Sequence, residues 1–370
     1  MLEKIEICNF KCFEELKLRC APITLLCGLN GMGKSSVIQA ILLLRQSFQA
    51  GRLQKGQLVL GGALLDLGTS TDVFFEDADN ETLGFGIHIH GEAEPWFRSF
   101  DYIRDVEQLE ATPAQATISE RLSQVPPFGG QVIYVEADRV GPRTLYPQSK
   151  ILAQMGDFGK RGQMAWNLLH DRQFDLMDSR DARCEGLARR RMIDAVDHWL
   201  QDVSPGAHLE LRAIREADSI TAGFRFDRDG DVVTSRYRAT NVGFGLSYVL
   251  PVLLAMLSEG GTLVLIENPE AHLHPRGQTR LAELAVRAAC SGVQLFVETH
   301  SDHFLDGVRI AVRNGLLAPE DIAIHYFERS GTRAVVSSPV LDCDGRLSHW
   351  PVGFFDQHQD NLVKLLVPRK

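Results

Sequence analysis

Long hydrophobic runs are missing from these 370 residues. The longest strongly apolar stretch, residues 249–257, falls far short of the roughly 20 residues needed to span a bilayer, which argues against a membrane-embedded chain. The opening MLEKIEICNFKCF alternates and carries acids where a signal peptide would have an apolar core, so a cytoplasmic location is expected. A basic surplus is missing too. The formal net charge is −9, whereas a chain that wraps DNA by itself usually carries the opposite balance. There is no CxxC pair among the seven cysteines (8, 12, 20, 27, 184, 290 and 343). Cys8 and Cys12, four apart on one expected strand, read as reduced core thiols, because a tetrahedral metal site usually recruits a second close pair. No heptad run announces a coiled-coil arm, no low-complexity block is present, and neither an NKxD-type guanine reader nor a nuclease site is recognisable.

What is present reads as alternating strands and helices. Residues 3–19 alternate as a strand pair, with Ile5, Ile7 and Phe10 answered by Leu16 and Leu18. Residues 23–27 form a continuous apolar run, the mark of a buried parallel strand. A helix is expected from Ser35 to about Gln46, with Val37, Ile38, Ile41, Leu42 and Leu44 at helical spacing. In the middle, 58–67, 83–90, 131–136, 208–213 and 222–226 read as strands, 137–143 (ADRVGPR) as a polar turn, 160–202 as helical, and 227–231 (DRDGD) as a hairpin turn. From about 246 the pattern is helix, strand 262–266, helix 276–289, strand 293–297, helix 302–314 and strand 322–327, which argues a parallel sheet packed with helices. The expected division is 1–50, 51–234 and 235–370.

Gly28, Leu29, Asn30, Gly31, Met32, Gly33, Lys34 and Ser35 fit G-x-x-x-x-G-K-[ST] in full. Glycines let successive backbone N–H groups turn toward phosphate oxygens, and the helix that follows adds its positive end. Lys34 is expected on the β- and γ-phosphates of ATP and Ser35 on Mg²⁺, with Asn30, Gly31, Gly33 and Ser36 completing the cradle. The metal also needs an acid at the end of a neighbouring buried strand, and Glu267 supplies one after the run Thr262-Leu-Val-Leu-Ile. Asn268, Pro269 and Glu270 follow it, then AHLHP. A second buried strand, 293–298, ends in Thr299, His300 and Ser301, where His300 could sense a γ-phosphate or its attacking water. Histidines 272, 274, 300 and 303 could suggest a metal cluster, but Mg²⁺ on oxygen ligands is the more economical reading. Gly243, Gly245 and Ser247 open the helix that leads into the Glu267 strand and read equally as an anion-binding end or as an ordinary flexible turn with an N-cap.

Together these residues resemble the ABC-type ATPase head of the RecF, SMC and OLD-like branch. IEICNFKCFEEL with ITLLCGLNGMGKSS looks like its first strands and Walker A; LVLIENPEAHLHP is similar to its Walker B and D-loop; VETHSDHFL resembles its switch-histidine loop. NVGFGLSYVLP sits at the signature position. Within the branch, the module ENPEAHLHP, ETHSDH and WPVGFFDQ is most similar to a bacterial group of AAA-class ATPases. The likeness covers about 1–50 and 235–360, with LGTSTD (67–72) and ADRVGPR the matches in between. It implies an α/β P-loop NTPase fold of ABC-ATPase type: a mixed central sheet flanked by helices, an antiparallel β subdomain and a helical insertion.

The resemblance further implies that two copies close head-to-tail on two ATP molecules, the 243–247 turn of one touching the γ-phosphate held by Lys34 of the other. Higher oligomers stay open. The signature reads GFGLS instead of LSGGQ, so its contact is assigned by position. Asn268 stands where the family has its catalytic glutamate, and an amide cannot take a proton from water at neutral pH; slow turnover, or a base at Glu270 or Glu298, is expected. Asp72 is the candidate for the Q-loop.

Two functions fit. The first is a nucleotide-gated switch for a partner effector, such as a nuclease, with antiphage defence as the setting the family suggests. The second is a RecF-like maintenance ATPase that clamps DNA itself through Arg180, Arg183 and Arg189 to Arg191; a solvated helix face is the favoured reading of those arginines. A metabolic kinase would need an acceptor site and a lid, and transport would need a membrane partner.

Overall fold

The computed structural model describes residues 1–92, 94–112, 118–156, 158–228, 232–355 and 357–366. Two compact units alternate along the chain. One, the P-loop unit, comprises 2–128, 298–302 and 318–370; the other, the acid-strand unit, comprises residue 1, 129–297 and 303–317.

In the P-loop unit an antiparallel sheet runs in the order Phe13–Arg19, Leu2–Phe10, Thr82–Ile89, Trp96–Asp101. Period-two alternation sets its register: Ile5 pairs with Leu18 and Ile87, Ile7 with Leu16 and Phe85, and all six side chains are buried. The Phe85 ring meets Phe10 edge-on at 5.4 Å. Ile23–Gly28 is apolar throughout and pairs parallel with Ile322–Ser330, which turns back antiparallel on Arg333–Ser337. The helix Lys34–Gln49 follows the glycine-rich turn and buries Val37, Ile38, Ile41, Leu42 and Leu44, ending three residues later than the pattern suggested. The first strand stops at Phe10, so Cys12 lies in the turn after it and not on one strand with Cys8; Lys11 there is left-handed, φ 54°.

In the acid-strand unit Leu263–Glu267 pairs parallel with Val132–Val135, Leu263 opposite Val132 and Ile266 opposite Val135. Gln294–Glu298 flanks Leu263–Glu267 on the other side. Three helices alternate with these strands. Phe244–Met256 is apolar all round and buried from Leu246 onward, as a helix enclosed by protein should be. Pro275–Cys290 opens on Pro at its first turn with the His274 ring accepting from Arg276 N–H at 3.3 Å. Asp302–Arg313 is the third. An antiparallel hairpin, Ala207–Ile214 with Ser219–Arg228, forms the β subdomain. Tyr146 and Trp166 stack beneath it, 4.4 Å apart.

Three expectations differ from what is seen. The 160–202 helix is two helices, Ala165–Arg172 and Met192–Val203. Between them Asp178 and Asp181 accept from Arg180 and Arg183 N–H at 2.8 and 2.9 Å, local bonds that compete with the helical ladder. Of the 58–67 strand only Leu58 and Val59 form, within the strand Gln57–Val59; Gly62 N–H turns back to Leu65 O at 2.7 Å instead. The Arg180–Arg191 stretch is therefore not a helix face. Arg183 is buried against Asp181 and donates to the carbonyls of Met256 and Ser258, while Arg191 forks onto Asp194. Of the expected DRDGD turn, 229–231 lie outside the described residues.

Candidate functional site: a phosphate cradle and an acid strand

The buried strand Ile23–Gly28 delivers its last residue to the cradle with no room for a side chain. A Cβ on Gly28 (φ 134°) would sit 2.4 Å from Phe327 O, and one on Gly33 (φ 102°) 2.6 Å from Cys12 Sγ. Both positions therefore require glycine. Gly33 caps the helix that begins at Lys34, and Asn30 and Gly31 form the exposed lip of the loop. Lys34 is 2% exposed, its ammonium donating to Leu29 O at 2.7 Å and lying 3.7 Å from Glu298 Oε1. Burial lowers its pKa, and the Glu298 charge opposes that. Ser35 Oγ donates to Glu298 Oε2 at 2.8 Å. Ser36 is buried and hydrogen-bonds the Cys12 thiol, whose pKa burial raises.

The stretch after Glu298 is pinned to the same strand: Thr299 N–H donates to Leu26 O at 3.1 Å, and Ser301 N–H to Thr299 Oγ1 at 3.1 Å. His300, exposed beside them, has its pKa lowered by partial desolvation and then by the Lys34 charge, which favours the neutral ring near pH 7.

In the acid-strand unit the Glu267 carboxylate accepts from Tyr134 OH at 2.9 Å and Ala137 N–H at 3.2 Å. Arg139, 2% exposed, donates from Nη1 to Glu267 O at 2.8 Å and from Nη2 to Asn268 O at 2.6 Å. Its guanidinium lies 4.5 Å from the Tyr248 ring, and the Tyr248 hydroxyl accepts from Arg139 N–H at 3.0 Å and donates to Ala137 O at 2.6 Å. Asn268 is left-handed, φ 46°, and its buried Oδ1 has no hydrogen-bond partner among the described residues. Glu270 is half-buried two residues on.

At the signature-like turn Gly243 is exposed and Gly245 packs so closely that a Cβ would meet His272 O at 2.7 Å. Ser247 is 0% exposed, a placement that a hydroxyl reaching a ligand would not have. The His272 ring packs 4.8 Å from both Phe244 and Tyr248. With His274 spent on a helix cap, two of the four histidines have packing roles. Asp72 caps a one-turn helix, its carboxylate accepting from Thr69 N–H at 2.7 Å.

Three family models match the chain: "AAA ATPase domain" over residues 1–85, "AAA domain, putative AbiEii toxin, Type IV TA system" over 159–306, and "Protein of unknown function (DUF3696)" over 317–365. Over 336 residues, 83% of the chain, it is 23% identical to the OLD nuclease of Thermus scotoductus, of whose length it spans only 60%. Two solved SMC heads share the fold. One, bound to the C-winged helix domain of ScpA, has a TM-score of 0.53 at 17% identity, covering 92% of this chain and 98% of that one. The other, from Pyrococcus furiosus with an extended coiled coil and the C-terminal domain of ScpA, has a TM-score of 0.52 at 14% identity, covering 98% and 99%. These matches support the likeness to an ABC-type ATPase head that the motifs carry. The mixed α/β fold expected from the motifs is the fold seen, and it is the one the SMC heads share.

Sequence reasoning missed three groups in this head. Arg139 was a letter in a polar turn, and only its place directly after a buried strand hinted at a role. Tyr134 sits inside that strand, where an aromatic reads as core. Tyr248 sits inside an apolar helix, and its hydroxyl gave no signal.

Proposed function

We propose that the head binds ATP with Mg²⁺ in the 28–36 cradle, closes as a homodimer on it, and gates a partner effector as it slowly hydrolyses the nucleotide. The observation that carries this is the buried Lys34, which points its ammonium into a glycine turn that admits no side chains at Gly28 and Gly33. Backbone N–H groups, one ammonium and a helix N-terminus together suit a triphosphate. The Ser35 hydroxyl is a hard oxygen donor of the type Mg²⁺ takes; Glu267 is the acid assigned to the metal from sequence, and when bound the ion neutralises phosphate charge. His300, held neutral, would face the γ-phosphate side.

Closure follows from contacts that exist only with γ-phosphate present. The exposed start of the Phe244–Met256 helix, with Gly243 and Gly245, would give its backbone N–H groups to the partner copy's phosphate, since the Ser247 hydroxyl is inside. Glu267, Asn268 and Glu270 are the catalytic group expected around the attacking water. An amide at 268 limits proton removal, so turnover is slow.

The likeness to a protein named an OLD nuclease supports a nuclease as the effector class, and antiphage defence is the setting that the family resemblance implies. A direct DNA clamp has less support, because Arg183 and Arg191 are already committed to acids. The test is mass in solution by light scattering with and without ATP and Mg²⁺. A doubling with nucleotide is expected in wild type and none in Lys34→Ala, whose affinity for ATP should fall about 100-fold or more. Full affinity in Lys34→Ala would overturn the reading.

A further inference from the structure

One carboxylate holds both P-loop groups that a metal–triphosphate complex would need. Glu298 Oε2 accepts the Ser35 hydroxyl at 2.8 Å, and Oε1 lies 3.7 Å from the Lys34 ammonium. The acid is 6% exposed. It arrives at the end of a fully buried strand, Gln294–Glu298, and the next residue is tied by backbone to Leu26. So the carboxylate is placed by the sheet and not by a flexible loop.

A buried negative charge at this spot has opposite consequences for two forms of the same ligand. Metal-free ATP brings further negative charge to within a few ångströms of Glu298, where the surroundings screen poorly. It must also take Lys34 from an existing partner. A divalent cation changes the sign of that encounter, because a serine hydroxyl and a carboxylate side by side are the oxygen donors a hard cation selects. Charge and position thus make Glu298 a penalty for bare nucleotide and an asset for the metal complex.

We propose that Glu298 is a metal-side acid of the nucleotide site and makes ATP binding conditional on Mg²⁺. This rests on the ATP-binding reading above and adds a residue and a rule of entry to it. The rule concerns position 298 and is separate from which group removes the proton from water.

The test is calorimetric titration of the full chain with the non-hydrolysable analogue AMP-PNP, in excess Mg²⁺ and in EDTA. Wild type should bind the Mg²⁺ form about 100-fold or more tightly than the metal-free form. In Glu298→Gln, metal-free affinity should rise about tenfold as the repulsion goes, Mg²⁺ affinity should fall, and the ratio should shrink to about threefold. A merely structural acid would lower both affinities together. Glu298→Asp, which keeps the charge but draws back by one methylene, should still repel metal-free nucleotide while losing part of the Mg²⁺ gain. Mn²⁺ titration followed by electron paramagnetic resonance reads the metal directly and should show weaker binding in both variants. An unchanged ratio in Glu298→Gln, or metal-free affinity that falls there, overturns the role of Glu298 and leaves ATP binding standing. Wild type that binds neither form overturns the ATP reading and this one with it.

Discussion

Replacing Arg139 with lysine keeps a positive charge where the acid strand ends and removes the fork. Burial pulls the guanidinium pKa down only to about 10, so Arg139 is charged at neutral pH, as the lysine is intended to be. What changes is geometry. The guanidinium spans two successive carbonyls, Glu267 O at 2.8 Å and Asn268 O at 2.6 Å, while lying over the Tyr248 ring. One ammonium on a flexible stem cannot reproduce that planar bridge. A charged hydrogen bond contributes about 1.5–3 kcal/mol and a desolvated cation–π contact about 2 kcal/mol. Losing one bond and most of the stacking should cost about 3 kcal/mol. At about 2–4 °C per kcal/mol for a unit of this size, the melting temperature should drop by about 6–12 °C. The Asn268 turn is strained, φ 46°, and loosening its carbonyl moves the neighbouring acids. ATP turnover should therefore fall about 100-fold, while AMP-PNP affinity changes less than about threefold, because Lys34 and Ser35 make none of these contacts. Calorimetry and a phosphate-release assay read both. An Arg139→Lys protein that melts with wild type, or that loses affinity in step with turnover, would refute the reasoning.

Two further outcomes are expected. Asn268→Glu places a proton acceptor at the position the family uses and should raise the turnover number about tenfold or more in phosphate release; no increase means the amide is not what limits the rate, and an inert Glu270→Gln beside it would put the base at Glu270. His325 is buried neutral, its Nδ1 paired with Ser338 Oγ and its Nε2 donating to Arg19 O, each at 2.8 Å. Burial brings its pKa down to about 4, against the hydrogen bond to the Arg19 carbonyl, which raises it. Below about pH 6.5 the unfolded chain takes the proton first, so stability present above that pH is lost as pH falls, by about 3 kcal/mol at pH 4. Urea midpoints should slope less between pH 6.5 and 4 in His325→Gln than in wild type, and equal slopes would exclude His325 as the cause.

What could be read from the sequence was local. The cradle needed only a buried strand, a glycine turn and an amphipathic helix in succession, and residues 23–49 supply all three without help from elsewhere. Strand–helix alternation after residue 246 was legible for the same reason. The 173–191 stretch differs from the helix expected there because Asp178 and Asp181 turn the backbone by side-chain bonds that a periodicity scan does not see. Pairings across long stretches of chain were invisible. Arg139 reaches Glu267 across 128 residues and Ser35 reaches Glu298 across 263, and neither arginine nor glutamate advertises its partner. The Arg333–Ser337 edge strand was also missed, because Ala334, Val335 and Val336 are a run of only three apolar residues with no period-two alternation.

The tight seat of Gly245 on His272 has a mechanical meaning. With no slack for even a methyl group there, the start of the helix and the segment after the acid strand must travel as one piece. Phe244, 46% exposed at that start, rests on Tyr248, and Tyr248 touches Arg139, which grips the backbone of Glu267 and Asn268. A push on a single surface phenylalanine is thus relayed through two side chains to the backbone of the acid strand's end, as pressing a key moves a hammer.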